Sequence, residues 1–105
     1  MKTEKNGTML ELNRDIDEVL RRIGIEDGFF KSKRSGQPGR RELRQCIIYA
    51  CFQTGKYPMK LLRSTKIGRC RVSSAVKSVS GWLRAEDKYG WSNIARQCLD
   101  ILGNT

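Results

Sequence analysis

Arginine and hydroxyl side chains are concentrated in one short stretch beyond the middle of the chain, immediately after a glycine. They are Arg69, Arg71, Ser73 and Ser74. Arginine donates two parallel hydrogen bonds to O6 and N7 of guanine, and serine hydroxyls bond to base edges or to phosphates. Residues of these types at the start of a helix are typical of a helix that enters the major groove of double-stranded DNA. We therefore predict that these four residues read bases.

The net charge of the 105-residue chain is +10, and nearly all of the excess lies in one central segment. Residues 29–72 contain twelve basic residues and a single acid, Glu42. Basic residues packed this closely repel one another and do not stabilise a domain, so a polyanion is the natural partner. Nucleic acid fits because each neutralised phosphate releases counterions. Phosphate contacts are predicted for Lys31, Arg40, Arg41, Lys60, Lys66 and Lys77.

Apolar residues recur at helical spacing through most of the chain, and no segment alternates like a strand. The predicted helices are one capped by Asn13, one from about Arg40 to Thr54, a short one from Pro58 to near Lys66, one starting between Cys70 and Val72, and one from about Ser92 to Leu102. A tight turn at residues 67–69 joins the third and fourth helices in the proportions of a helix-turn-helix. We expect an all-α fold, a small bundle of about five helices, over residues 13–105. Residues 1–12 are predicted to be a flexible lead-in.

Several short motifs follow one another along the chain at defined spacings. They are the basic loop Ser32-Lys33-Arg34, the pair Arg44-Gln45, Pro58 placed fourteen residues before Val72, and the series Val72, Ala75 and Lys77. In order and spacing, the stretch from Asn13 to Leu102 resembles the DNA-binding C-terminal domain of the bacterial replication initiator DnaA. The resemblance implies that Lys33 or Arg34 inserts from the basic loop into the minor groove, where a narrow A·T-rich groove attracts arginine.

The chain departs from this family at the residues that read bases. The family signature before the valine is Arg-Asp-His-Ser/Thr-Thr, and this chain has Ile67-Gly68-Arg69-Cys70-Arg71 instead. We therefore expect a different, guanine-containing target site. The resemblance implies a free-standing regulator or replication accessory. The lack of an apolar leader or span predicts a cytoplasmic protein, associated with the nucleoid through its DNA, and the lack of a heptad or apolar patch predicts a monomer.

Two other classes of function remain open. The first helix carries Glu11, Asp15, Asp17 and Glu18, which form either a solvated face or a docking face for a protein partner. A module of this shape could instead bind an acidic protein and inhibit replication or transcription. Structured RNA ranks third, because a recognition helix suits the deep, narrow groove of A-form RNA poorly.

Catalysis, cofactors and metals are not expected. The chain has no histidine and no nucleotide-binding GxxxxGK[ST] loop, and its basic segment contains only one carboxylate. The four cysteines lack CxxC spacing, so a zinc site is not expected, and Cys46, Cys51 and Cys98 are predicted to lie in the core. Cys70 lies between two arginines that could lower its pKa, which makes it a candidate redox switch. No apolar run has the length of a membrane span or a secretion signal.

Overall fold

The computed structural model describes residues 7–25, 30, 39–85 and 90–103. These ranges contain five helices: α1 (Met9–Ile23), α2 (Arg40–Gln53), α3 (Met59–Arg63), α4 (Val72–Arg84) and α5 (Trp91–Gly103). Two strands of two residues, β1 (Ser64–Thr65) and β2 (Gly68–Arg69), form the single small sheet of the described part. The expectation of a small all-α fold is confirmed.

Helix α2 is the centre of the bundle and packs most extensively against α5 and α4. Its middle turns, from Cys46 to Cys51, are buried on every side of the helix. The helix begins after Gly39 and is followed by Thr54, close to the predicted ends. Because the middle of α2 is packed in the core, the backbone of its first turns is held in place, and so are the points from which their side chains extend to the surface.

Helix α1 begins at Met9, so the prediction that Asn13 caps it is wrong. Thr8 is the cap: its hydroxyl accepts from the Glu11 backbone N–H at 3.2 Å, and the Glu11 carboxylate accepts from the Thr8 N–H at 3.4 Å. This reciprocal capping box satisfies N–H groups that the first turn leaves without helical partners. Leu12 is fully buried, so residues 7–12 belong to the folded domain and are not a flexible lead-in. Residues 1–6 lie outside the described part.

The connection between α3 and α4 is a β-hairpin, which the sequence did not predict. Helix α3 ends at Arg63 rather than near Lys66, and β1 pairs antiparallel with β2 in the register Ser64 to Arg69 and Thr65 to Gly68. Ile67 at the turn is buried, and Gly68 has a φ of +115° that side chains rarely adopt. The chain forms a hairpin here instead of the expected tight turn, because Ile67 packs into the core and Gly68 can adopt a positive φ.

Among the described residues, no helix is long and apolar enough to cross a membrane.

Candidate nucleic-acid interface

Helix α4 has one buried face and one exposed polar face. Val72, Ala75 and Val79 recur at helical spacing and are buried against the core. Four polar residues at and near its N-terminus are exposed: Arg71, Ser73, Ser74 and Lys77. Because the buried stripe fixes the rotation of the helix, these side chains are held towards solvent.

Two grooves meet at the N-terminus of α4 and share Arg69, Cys70 and Arg71. The groove between α3 and α4, of about 520 Å³, is also lined by Met59, Arg63, Val72 and Ser73. The groove between α2 and α4, of about 260 Å³, is also lined by Arg41, Arg44, Gln45 and Ser74. We call Arg41, Arg63, Arg69 and Arg71 the arginine surface. The structure thus places all four predicted base readers on these two grooves.

The arginine surface is exposed and strongly positive. None of its four guanidinium groups is ion-paired to another described residue, and no acid is among the residues that line either groove. Unneutralised arginines beside a groove attract polyanions and can form forked hydrogen bonds with them.

The predicted phosphate contacts have different surroundings. Arg41, Lys60 and Lys77 are exposed, whereas Arg40 is half-buried. Lys66 forms an ion pair with Asp17 of α1, so its charge is already balanced within the domain. Lys31, Lys33 and Arg34 lie outside the described residues.

Arg44 and Arg63 line the grooves, although neither is among the site residues predicted from the sequence. Arg63 could have been found, because it is a basic residue of the same short predicted helix as Lys60. The Arg44 contacts are tertiary and leave no local signal: its Nε donates to the Ile67 carbonyl at 2.7 Å, and its guanidinium lies 5.8 Å from the centre of the Phe30 ring. Burial lowers the pKa of Arg44, and the positive charges of two nearby arginines of α2 add to this effect.

The four acids of α1 all have partners within the domain. Glu11 closes the capping box, Asp17 pairs with Lys66, and Asp15 accepts a hydrogen bond from the Tyr57 hydroxyl and lies 3.6 Å from the Lys56 ammonium. Glu18 bonds to Arg21 and Arg22, both at 2.6 Å, and these bonds lower its pKa. A protein that docked on this helix would have to compete with these contacts. The docking face therefore remains a prediction.

The cysteines divide into three core residues and one residue on the grooves. Cys46, Cys51 and Cys98 are buried, and burial raises the pKa of Cys98 to about 12. Cys70 is half-buried, and burial raises its pKa although Arg44 acts in the opposite direction. The prediction that neighbouring arginines lower the pKa of Cys70 is therefore wrong, because desolvation is the larger effect. Within the described ranges, no three His, Cys, Asp or Glu residues are placed to share a metal ion.

The chain matches no protein-family model, and no curated protein and no solved structure is significantly similar to it. Its resemblance to the initiator domain consequently rests on the sequence motifs alone, and its function has to be argued from the residues of the site.

Proposed function

We propose that this protein binds double-stranded DNA with a preference for sequence and uses α4 as its recognition helix. One observation carries the proposal: four exposed arginines and two serines surround two adjoining grooves at the N-terminus of α4. A helix that enters the major groove contacts base edges with its N-terminal residues, and α4 presents Arg71, Ser73 and Ser74 there.

The proposal divides the site into base contacts and phosphate contacts. Arg69 and Arg71 lie where the two grooves meet, so a duplex seated on α4 would face both guanidinium groups. Each could bond to a guanine through two donors. Other exposed cations would contact the phosphates on either side of the bases that are read, and would position the duplex without reading sequence. They are Arg41, Lys60, Arg63 and Lys77.

The remaining parts of the proposal rest on the sequence alone. They comprise insertion of Lys33 or Arg34 into the minor groove, a monomeric state, a place on the nucleoid, and a role as a transcriptional regulator or replication accessory. No catalytic step is proposed, because the grooves offer neither a carboxylate nor a histidine for proton transfer.

Selection from a randomised pool of duplexes at about 150 mM salt tests the proposal, because nonspecific phosphate binding is weakened at that concentration. We expect a single guanine-containing motif to be enriched by the native protein. Arg71→Ala should lose the enrichment. The matched control is Arg96→Ala, since Arg96 is an exposed arginine of α5 that lines neither groove, and this variant should select the same motif.

Two other outcomes would replace the proposal with another function. Weak binding that ignores sequence and disappears as salt rises would favour a module that binds an acidic protein. Preference for duplex RNA over duplex DNA of the same sequence would indicate an RNA-binding protein.

A further inference from the structure

The hairpin between α3 and α4 carries the two proposed base readers but is too small to hold its own shape. Each strand has two residues, and an isolated two-stranded hairpin is at best marginally stable in water. Arg69 belongs to β2, and Arg71 is the residue that precedes α4. The directions of both side chains therefore depend on contacts that fix the hairpin from outside.

Arg44 provides such a contact from the rigid central helix. Its Nε donates to the Ile67 carbonyl at 2.7 Å, and a bond from a charged donor to a carbonyl is stronger than a bond between neutral groups. The same guanidinium packs against Gly68, since a Cβ atom built there would lie 3.1 Å from its Cζ, Nε and Nη2 atoms. Arg44 thus supports the backbone directly before Arg69.

Further contacts hold the rest of the hairpin in place. The Cys70 N–H donates to the Arg63 carbonyl at 2.9 Å, which closes the hairpin at its open end. Lys66 in the turn is paired with Asp17 of α1. Among the described residues, Arg44 is the one outside the hairpin that donates a hydrogen bond to the Ile67 carbonyl, two residues before Arg69.

We infer that Arg44 is a positioning residue: it holds the Ile67–Gly68 backbone so that Arg69 and Arg71 point together at the base edges, and it does not itself bind DNA. This inference rests on the proposed function. It assigns Arg44 a role different from that of Arg41, which lines the same groove but is exposed.

Three variants separate positioning from phosphate binding. Arg44→Met removes both the donor and the charge. Arg44→Gln removes the charge but keeps an N–H donor at the same place along the side chain, so it can still bond to Ile67. Arg41→Met is the matched control, because it removes an exposed arginine from the same groove.

The first readout is the ratio of affinities for the selected duplex and for a permuted duplex. Arg44→Met should lower this ratio about tenfold, which is near the lower limit of what a charge-assisted hydrogen bond contributes. Arg44→Gln should retain the ratio within about threefold and leave the dependence of affinity on salt unchanged. Arg41→Met should weaken both duplexes equally and reduce the salt slope by about 0.9.

The second readout needs no DNA. Hydrogen exchange of the Cys70 amide in the free protein should accelerate about tenfold in Arg44→Met, and it should not change in Arg41→Met or Arg44→Gln. Unchanged exchange in Arg44→Met would overturn the inference even if DNA binding is sequence-specific. Faster exchange with an unchanged affinity ratio would also overturn it, because Arg44 would then stabilise the hairpin without affecting how Arg69 and Arg71 read bases. If no duplex motif is selected at all, the proposed function fails, and the exchange data still show whether Arg44 holds the hairpin.

Discussion

Replacing Gly68 with alanine perturbs the hairpin at its most constrained point. The φ of Gly68 is +115°, a backbone angle that residues with a side chain rarely adopt. An added Cβ would also approach the Arg44 guanidinium to 3.1 Å, closer than ordinary van der Waals contact. Both effects act on the same few atoms, so the substitution should lower the free energy of unfolding much more than the addition of one methyl group would indicate.

The expected loss of stability has two parts. Backbone strain at a positive φ costs about 1–3 kcal/mol. The guanidinium must also shift by a few tenths of an ångström, which stretches its bond to the Ile67 carbonyl and removes about 1 kcal/mol of a charge-assisted hydrogen bond. The free energy of unfolding should therefore fall by about 2–4 kcal/mol. For a domain of this size, the corresponding fall in Tm is at least about 8 °C.

Urea denaturation followed by the helical circular dichroism signal measures this loss. Gly55→Ala is the control, because Gly55 also has a positive φ, +73°, but no described atom lies within 4 Å of its added Cβ. Gly68→Ala should lower the free energy of unfolding by at least about 1 kcal/mol more than Gly55→Ala does, and this excess should shrink by about 1 kcal/mol in an Arg44→Ala background, which removes the crowded side chain. Equal losses for the two glycine variants, or an excess that Arg44→Ala leaves unchanged, would contradict this explanation.

Three further predictions concern other contacts of the domain. Tyr57→Phe removes a buried hydroxyl that donates to a carboxylate of α1, and urea denaturation should show a loss of about 1.5–3 kcal/mol; a loss below about 0.5 kcal/mol would contradict this. Lys66→Ala should reduce the salt slope of DNA binding less than Lys77→Ala does, because Asp17 already balances the charge of Lys66, and the reverse order would contradict this reasoning. Iodoacetamide at pH 8 should modify the native protein at Cys70 alone, more slowly than an exposed thiol because the raised pKa keeps the thiolate scarce, and rapid labelling of a core cysteine would be inconsistent with the packing.

The sequence predicted the elements whose signals are local. The end of α2 follows from Gly55 after its apolar run, and the buried face of α4 follows from the helical spacing of Val72, Ala75 and Val79. The predicted start of α1 at Asn13 is too late, because Thr8 and Glu11 have the spacing of a capping box, which is a local signal for the true start.

The hairpin could not be predicted in the same way. Strands of two residues are too short to show alternation, and the turn between them lacks the Asn-Gly or Asp-Gly pair that marks tight hairpins. The contacts that hold it join residues far apart in the chain, such as Arg44 with Ile67 and Lys66 with Asp17. Residue types predict which cations belong to the proposed site, but they cannot show which cations are exposed and which are engaged within the domain.

The central claim is that Arg71 reads a base and does not merely attract the backbone. The most direct test is the affinity of Arg71→Ala for the selected duplex and for a permuted duplex, measured from 50 to about 300 mM salt with Lys77→Ala in parallel. The account predicts that Arg71→Ala loses about 1–3 kcal/mol on the selected duplex and little on the permuted one. Lys77→Ala should weaken both equally and reduce the salt slope by about 0.9. Equal weakening of both duplexes by Arg71→Ala would contradict the account.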